Sequence, residues 1–399
     1  MSRREMLDVV VVGAGVVGAA AALAFARDGL QVALVEAREP VRWRADEADL
    51  RVYAFAPDNA ALLDSVGAWQ PVLQARAQPY RRMCVWDAAG GAPLEFDADG
   101  FARSELGWIV ENGLLVDRLW AQQAAAGVRI HCPDHVVALQ QDATSATVEL
   151  DSGRRLKARL VVAADGAGSR LRELAGVGVG GHAYHQRGVV AFVDTEHPHQ
   201  ATCWQRFLPT GPLAFLPFVE DGGGGGVAGR RSSIVWTLPD AEAERMLAMD
   251  DRAFLQALER AFDGPLGAMR AVSRRAAFPL RLQLARHVVA GRVAIIGDAA
   301  HAVHPLAGQG VNLGLRDVAA LRGTLRAAGD GDIGGPERLA RWARRRRSEN
   351  ALAAYSFDGI NRLFSNEAML PTLVRGPLLG MVGKVPALTH LFWRRAAGV

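Results

Sequence analysis

A glycine-rich turn near the N-terminus is the first part of this chain that could bind a ligand through its backbone. It reads GAGVVG and directly follows a short apolar run. In a GxGxxG turn, Gly13 permits the tight bend, Gly15 lets the backbone approach a pyrophosphate, and Gly18 lets helix and strand pack closely. Glu36 ends the next apolar run, where a carboxylate can bind the ribose hydroxyls of an adenosine. This pattern predicts a dinucleotide site.

A second candidate site lies nearly 300 residues further along. It reads GDAAH over residues 297–301 and PLAGQGVN over residues 305–312. Asp298 could hydrogen-bond a ribityl hydroxyl, and the backbone N–H groups that follow would face a developing anion, with the helix dipole behind them. The N–H groups in question lie between Gly308 and Asn312 and include those of Gly310 and Val311. This arrangement suits the N1–C2=O edge of a reduced flavin and therefore predicts a flavin loop.

A third motif, DGAGSRLR, begins at Asp165 after an apolar run over residues 160–164. Taken alone it is also explained by an ordinary helix start with Ser169 near the cap. Together with the other two motifs it favours a flavin site.

The elements that position these motifs follow from the apolar periodicity. A strand over residues 7–12, a helix over 19–27 and a strand over 31–35 form a βαβ start. Within residues 183–285, the pattern predicts strands up to residue 237 and a helix over 240–262. A helix over 311–328 follows the flavin loop, and the last 60 residues are mostly helical.

Length and composition exclude several classes of protein. A chain of 399 residues exceeds one ordinary core and predicts at least two domains. The formal charge of +4 does not by itself indicate nucleic acid, and no apolar run reaches the 18 residues of a membrane span. The three cysteines form no CxxC pair, and His301 and His304 have no HExxH carboxylate, so no metal site is predicted.

In order and spacing, the three motifs resemble those of the group A flavoprotein monooxygenases, the para-hydroxybenzoate hydroxylase superfamily. Residues 299–315, GPLAFLP at 211–217 and NRLFSN at 361–366 narrow the resemblance to ubiquinone-biosynthesis hydroxylases of the UbiH/UbiF/VisC type. The resemblance implies an α/β fold, in which a Rossmann-type FAD-binding domain carries an inserted β-sheet substrate domain and a helical C-terminal region. The implied segments are 1–75, 109–182 and 286–340 for FAD, 76–108 and 183–285 for substrate, and 341–399 for the C-terminal region.

The resemblance also implies a reaction, the hydroxylation of a polyprenylated phenol or benzoquinol by O2 and NAD(P)H through a flavin C4a-hydroperoxide. It places Arg51 over the flavin, although the neighbouring residues 52–55, VYAF, depart from the family's smaller, alanine-rich stretch. Asn112 would lie near the ribityl chain, and the backbone carbonyl of Pro305 would face the oxygen-transfer side. Asp165 and Asp298 would be cofactor ligands.

Other functions and locations stay open at this stage. The same fold could serve a hydroxylase or reductase of another substrate, or a non-catalytic FAD-binding scaffold of the biosynthetic complex. The flavin loop disfavours a simple NAD-dependent dehydrogenase. A cytoplasmic protein is expected. The arginine run at 344–347 and the apolar segment 370–393 are consistent with contact with the inner membrane or an acidic partner protein, and equally with a solvated face and a packed terminal helix.

Overall fold

In a computed structural model, residues 6–219, 229–303, 309–329 and 331–364 are described. The strands in the N-terminal half are β1 Leu7–Val12, β2 Val32–Val35, β3 Val52–Phe55, β4 Gln78–Tyr80, β5 Arg82–Asp87, β6 Leu94–Asp97, β7 Gly107–Glu111, β8 Arg129–His131, β9 Val136–Gln141, β10 Ala146–Leu150 and β11 Arg155–Ala163. The later strands are β12 Val179–Thr195, β13 Thr202–Leu208, β14 Gly211–Pro217, β15 Arg231–Pro239, β16 Met269–Val272, β17 Ala276–Ala285, β18 Val289–Ala290, β19 Val293–Ile295 and β20 His301–Ala302.

The helices are α1 Val16–Arg27, α2 Pro57–Asp64, α3 Trp69–Arg76, α4 Asn112–Gln123, α5 Arg170–Leu174, α6 Asp240–Ala248, α7 Asp251–Phe262, α8 Gln309–Arg326 and α9 Pro336–Phe364. The predicted single helix over 240–262 is in fact two helices, because the Asp250 carboxylate accepts a hydrogen bond from the Ala253 N–H and caps α7 as a new start. Within the described residues, no helix has an apolar stretch long enough to cross a bilayer.

The first sheet contains a parallel core in which β1 lies between β2 and β11, and β11 also pairs with β19. Its strands are continuous runs of small and β-branched residues, as expected for a sheet buried on both faces. The carboxyl ends of parallel strands meet at one edge of a sheet, so Val12, Val35, Ala163 and Ile295 all end there. The three motifs follow three of these strands directly, which brings them together although they are far apart in sequence.

The second sheet is mostly antiparallel, with β12, β15, β14 and β13 side by side. One of its faces buries Val189, Phe215 and Trp236 against α7, whose Phe254 and Phe262 belong to the same cluster. Alternate residues point to the opposite face, as the two-residue period of a strand requires.

A small third sheet, β3–β7–β4, lies between the two large ones. Its Ala54 and Ile109 pack with Val190 and Leu216 of the second sheet, whereas Phe55 joins the core of the first. The chain therefore has the predicted α/β architecture, with a Rossmann-type parallel sheet and an antiparallel substrate-domain sheet.

The predicted segment boundaries stay a proposal, and four of them fall inside regular elements. The breaks at 75/76, 108/109, 182/183 and 340/341 fall inside α3, β7, β12 and α9 respectively. We therefore propose that each of these boundaries lies at the end of its element.

Candidate functional site

A cavity of about 1050 Å³ opens at the carboxyl ends of the parallel strands. It extends from the first sheet, past the small third sheet, to the face of the second sheet that is turned away from α7. Nine of the predicted site residues line it: Gly13, Gly15, Glu36, Arg51, Asn112, Asp165, Asp298, Gly310 and Val311. Pro305 and Gly308 lie outside the described residues.

The glycine turn has the geometry that a close ligand requires. Gly13 has φ +100°, and a Cβ there would lie 2.4 Å from the Ala164 carbonyl oxygen. A Cβ at Gly18 would lie 1.9 Å from the Gly13 oxygen, so Gly18 serves the packing of helix against strand. Gly15 differs from both, because its φ is −62° and a Cβ there would have no protein atom within 4 Å. Gly15 is thus free of internal constraint and faces open space at the N-terminus of α1, where N–H groups have no intrahelical partner.

Glu36 both lines the cavity and holds the glycine turn. Its Oε2 accepts a hydrogen bond from the Ala14 N–H at 2.5 Å, and Oε1 accepts one from the Arg38 N–H at 3.1 Å. Asp134 and His135 line the same end of the cavity. Sequence reasoning missed these two residues, although β8 pairs in parallel with β2 and so ends at the same edge.

The Asp165 motif is a capped turn at the cavity wall. The Asp165 carboxylate accepts hydrogen bonds from the Ser169 hydroxyl and, at 3.0 Å, from the Leu171 N–H. Ser169 in turn accepts from the Arg172 N–H at 3.0 Å and is the N-cap of α5, which agrees with the helix start that the motif taken alone also allows. The carboxylate therefore stabilises its own loop, and a contact with cofactor stays a prediction.

The second flavin motif is anchored to the protein interior by one buried carboxylate, that of Asp317. Gly297 has φ +59°, and its N–H donates to Asp317 Oδ2 at 3.0 Å. His301 Nε2 lies 2.6 Å from the same oxygen, so this imidazole is engaged within the protein interior. Asp298, between the two, lines the cavity. The loop therefore presents Asp298 to the cavity and is anchored on either side of it.

Two residues of helix α9 stabilise the negative charge of Asp317. Arg346 Nε donates to Asp317 Oδ1 at 2.7 Å, and Asn350 Nδ2 donates to the same oxygen at 3.0 Å. Burial raises the pKa of Asp317, but the hydrogen bonds and charges of His301 and Arg346 outweigh it and hold that pKa at about 2. The arginine run at 344–347 is therefore not a uniform surface cluster, because Arg346 is only 3% exposed.

Arg51 and Asn112 are adjacent on the cavity wall. The Asn112 N–H donates to the Arg51 carbonyl at 2.8 Å, and the Tyr53 hydroxyl donates to Asn112 Oδ1 at 3.0 Å. The Arg51 guanidinium lies 5.5 Å from the Tyr53 ring centroid. Burial raises the pKa of Tyr53 to about 12, so it is a neutral phenol at physiological pH. Tyr53 was not predicted as a site residue, although it belongs to the stretch that departs from the family pattern.

The side chain of Asn312 has a framework role. It is fully buried, its Oδ1 accepts from the Ala56 N–H at 3.0 Å, and its Nδ2 donates to the Ala54 carbonyl at 2.8 Å. These bonds tie α8 to β3. The predicted cofactor contact of Asn312 is therefore confined to its backbone N–H.

The far wall of the cavity belongs mainly to the second sheet and is mostly apolar. It is formed by Leu50, Val190, Leu216, Val235, Ala276, Phe278 and Leu280, with Arg274 and Arg281 beside them. None of these residues was predicted as a site residue, although Leu216 belongs to the GPLAFLP stretch at 211–217. His182 and His185, considered as substrate contacts, do not line the described cavity, and Phe215 and Trp236 pack on the opposite face of the sheet.

The sequence matches the FAD binding domain family over residues 6–354. The chain belongs to the FAD-dependent monooxygenases. It is 38% identical to the ubiquinone hydroxylase UbiL of Rhodospirillum rubrum over 404 residues, covering 100% of this chain and 91% of that protein. It is 35% identical to the 3-demethoxyubiquinol 3-hydroxylase of Escherichia coli, covering 92% and 91%. Identity to the human mitochondrial ubiquinone biosynthesis monooxygenase COQ6 is 33%, covering 94% and 89%.

Solved structures of this monooxygenase fold agree with the architecture. The p-nitrophenol 4-monooxygenase PnpA of Pseudomonas putida superposes with a TM-score of 0.76 at 20% identity, covering 98% of both chains. Aklavinone-11 hydroxylase, solved with FAD and aklavinone, gives a TM-score of 0.67 at 23% identity, covering 90% of this chain and 70% of that one. At these identities the likeness concerns the fold.

The residues of this monooxygenase fit FAD. The open space at Gly15, at the positive end of α1, is where a diphosphate can approach the backbone. Glu36 is placed for the adenosine half, and Asp298 for the ribityl chain. Gly310 and Val311, at the start of α8, line the part of the cavity that would receive the flavin ring. These individual contacts stay predictions.

Proposed function

We propose that this monooxygenase hydroxylates the aromatic ring of a polyprenylated phenol or benzoquinol intermediate in ubiquinone biosynthesis, with O2 as co-substrate and NAD(P)H as reductant. The identity to named ubiquinone hydroxylases over nearly the whole chain supports this assignment. The position on the ring and the length of the prenyl chain are not part of the proposal.

The single observation that carries the proposal is the continuity of the cavity. One space joins the three flavin motifs to an apolar wall that includes Val190, Leu216 and Val235. A ring held beside the flavin would therefore have its hydrocarbon substituents against apolar side chains. Burial of each CH2 group of a prenyl chain stabilises a complex by roughly 0.8 kcal/mol, so such a wall favours a prenylated ring over a soluble phenol.

The chain's own contribution to the reaction is positioning and exclusion of water. FAD supplies the oxygen-activating chemistry when it is bound and reduced. Tyr53, fixed on Asn112 at 3.0 Å, presents a neutral phenol to the cavity beside Arg51. The apolar wall keeps the reacting edge dry, which strengthens every electrostatic interaction within the site. The proposal assigns no side chain as a general acid or base.

The test is an assay with a short-chain prenylphenol under ¹⁸O2. We expect NAD(P)H oxidation that depends on the phenol and a product that carries one ¹⁸O atom. NAD(P)H oxidation with release of H2O2 and no labelled product from any prenylated ring would indicate a hydroxylase or reductase of another substrate. FAD-loaded protein that never consumes NAD(P)H would indicate a non-catalytic scaffold.

Substitutions in the apolar wall refine this test. Val235 lines the cavity, whereas its neighbour Trp236 packs on the other face of the sheet. Val235→Trp should raise KM for the prenylphenol at least tenfold, an effect of about 1.4 kcal/mol, with FAD content unchanged. Val235→Ala is the matched control, since it removes volume without blocking the space. Equal KM values for the two variants would contradict a substrate site at this wall.

A further inference from the structure

We propose that Arg346 is a positioning residue for the flavin site, and that it couples helix α9 to FAD binding through Asp317. The inference concerns how this monooxygenase holds its cofactor. It therefore does not depend on which substrate is hydroxylated.

The first step is that both carboxylate oxygens of Asp317, which is 1% exposed, have hydrogen-bond partners. Its Oδ2 interacts with the Gly297 N–H at 3.0 Å and His301 Nε2 at 2.6 Å, and its Oδ1 accepts from Arg346 Nε at 2.7 Å. Asn350 completes the set at 3.0 Å. One carboxylate thus joins the loop before α8 to a helix that begins about 40 residues later.

The second step is that the anchored residues bracket Asp298. Gly297 directly precedes it in a left-handed conformation, φ +59°. His301 follows three residues later in β20, which pairs with β17 of the second sheet through His301 and Leu284. A movement of the Asp317 carboxylate therefore displaces the backbone on both sides of the one carboxylate that this loop turns towards the cavity.

The third step is the dependence of Asp317 on Arg346. Arg346 is 3% exposed, while Arg344 and Arg345 of the same run are exposed. Arg346 is itself held by Nη2 donating to Asn350 Oδ1 at 2.7 Å and by an ion pair with Glu349. Loss of one partner of a buried ion pair is costly for the charge that remains. Without Arg346, Asp317 Oδ1 keeps only Asn350, and the carboxylate shifts towards His301 or takes up a proton. Either response disturbs the hydrogen bond to Gly297.

The experiment compares Arg346→Met with Arg344→Met, which removes the same charge from the exposed side of the same helix. Each full-length holoenzyme is stripped of FAD and titrated again, with flavin fluorescence as the signal. We expect the Kd for FAD to rise on the order of tenfold in Arg346→Met, within the range usual for coupling between two sites, and to be unchanged in Arg344→Met. Arg346→Lys should show a smaller loss of FAD affinity, because it keeps a positive charge beside Asp317. Some loss should remain, because a lysine ammonium does not reproduce the guanidinium contacts with Asp317, Glu349 and Asn350.

A second measurement separates positioning from simple stabilisation. Coupling is reciprocal, so bound FAD should slow amide hydrogen exchange in residues 340–350 of the wild type more than in α7, which packs on the far side of the second sheet. The difference should disappear in Arg346→Met. Two results would overturn the inference. One is an FAD affinity of Arg346→Met equal to that of Arg344→Met, and the other is amide exchange in α9 of the wild type that is the same with and without FAD. If Arg346→Met does not fold, Arg346→Lys against Arg344→Lys decides the question by the same criteria.

Discussion

Two glycines of the same turn should respond in opposite ways to the addition of one methyl group. Gly15→Ala places a Cβ where no protein atom lies within 4 Å, at a backbone φ of −62° that alanine adopts readily. Gly18→Ala places a Cβ 1.9 Å from the Gly13 carbonyl oxygen. The first change should therefore interfere with the ligand alone, and the second with the protein itself.

The magnitudes follow from these contacts. Replacement of glycine by alanine in a compatible conformation stabilises a protein by about 0.4–1 kcal/mol. Alanine is a poorer N-cap residue than glycine by roughly 0.5–1 kcal/mol, so FAD-free Gly15→Ala should unfold within roughly 1 kcal/mol of wild type. Blocking N–H bonds to a diphosphate costs about 3 kcal/mol, a Kd roughly a hundredfold higher. Overpacking of the kind created by Gly18→Ala costs about 1–3 kcal/mol or more in the absence of any ligand.

The assay is urea unfolding of the FAD-free proteins, followed by FAD titration of each. For Gly15→Ala we expect a nearly wild-type unfolding curve and a Kd for FAD that is roughly a hundredfold higher, and for Gly18→Ala a shifted unfolding curve. Retention of full FAD affinity in Gly15→Ala, or in the bulkier Gly15→Val, would refute the assignment of this turn to the diphosphate. A destabilisation of FAD-free Gly15→Ala equal to that of Gly18→Ala would show that the space at Gly15 is not open.

Three further results are expected. Glu36→Ala should weaken FAD binding by about 1–3 kcal/mol in the same titration, the usual loss for hydrogen bonds to a charged group, and an unchanged Kd would contradict the adenosine contact. Asp298→Ala should lower FAD affinity with no change in FAD-free unfolding, whereas normal binding with lost turnover would make Asp298 catalytic instead. If α9 contacts membranes, replacing Arg344, Arg345 and Arg347 by serine should release the protein from anionic liposomes at low salt, at about 1 kcal/mol per arginine; wild-type protein that stays in the supernatant supports the solvated-face interpretation.

The flavin half of the site could be predicted because its motifs are local. The bend at Gly13 and the strand–helix junction at Gly18 depend on neighbours within a few residues or on the adjacent strand. Because the carboxyl ends of parallel strands meet at one edge of a sheet, Glu36, Asp165 and Asp298 are expected to lie close together. Glycine turns and apolar parallel strands produce specific sequence patterns, so these cavity-lining positions can be predicted from the sequence alone.

The parts that could not be predicted depend on distant partners. Arg346 is indistinguishable from the arginines beside it until Asp317 is placed under the flavin loop. The side chain of Asn312 bonds to Ala54 and Ala56, more than 250 residues away. Strand β17, which supplies Ala276, Phe278 and Leu280 to the cavity wall, begins with an unbroken apolar run over residues 276–280, so the local pattern does not indicate which of these side chains face the cavity. In each case tertiary packing decides a role that the local sequence leaves open.

The same long-range construction has a consequence for how the protein is made. The glycine turn leaves the ribosome early, but β11 completes the sheet beside β1 only after residue 163, and Asp298 and α8 come later still. At about 5–20 residues per second, roughly 15–60 s separate synthesis of Gly13 from that of Asp298. For about the first half of this interval, until residue 163 has been made, the edge of β1 that later pairs with β11 has no native partner. A nascent chain therefore cannot be held by its cofactor until most of it has been translated, and chaperone demand should concentrate in this interval.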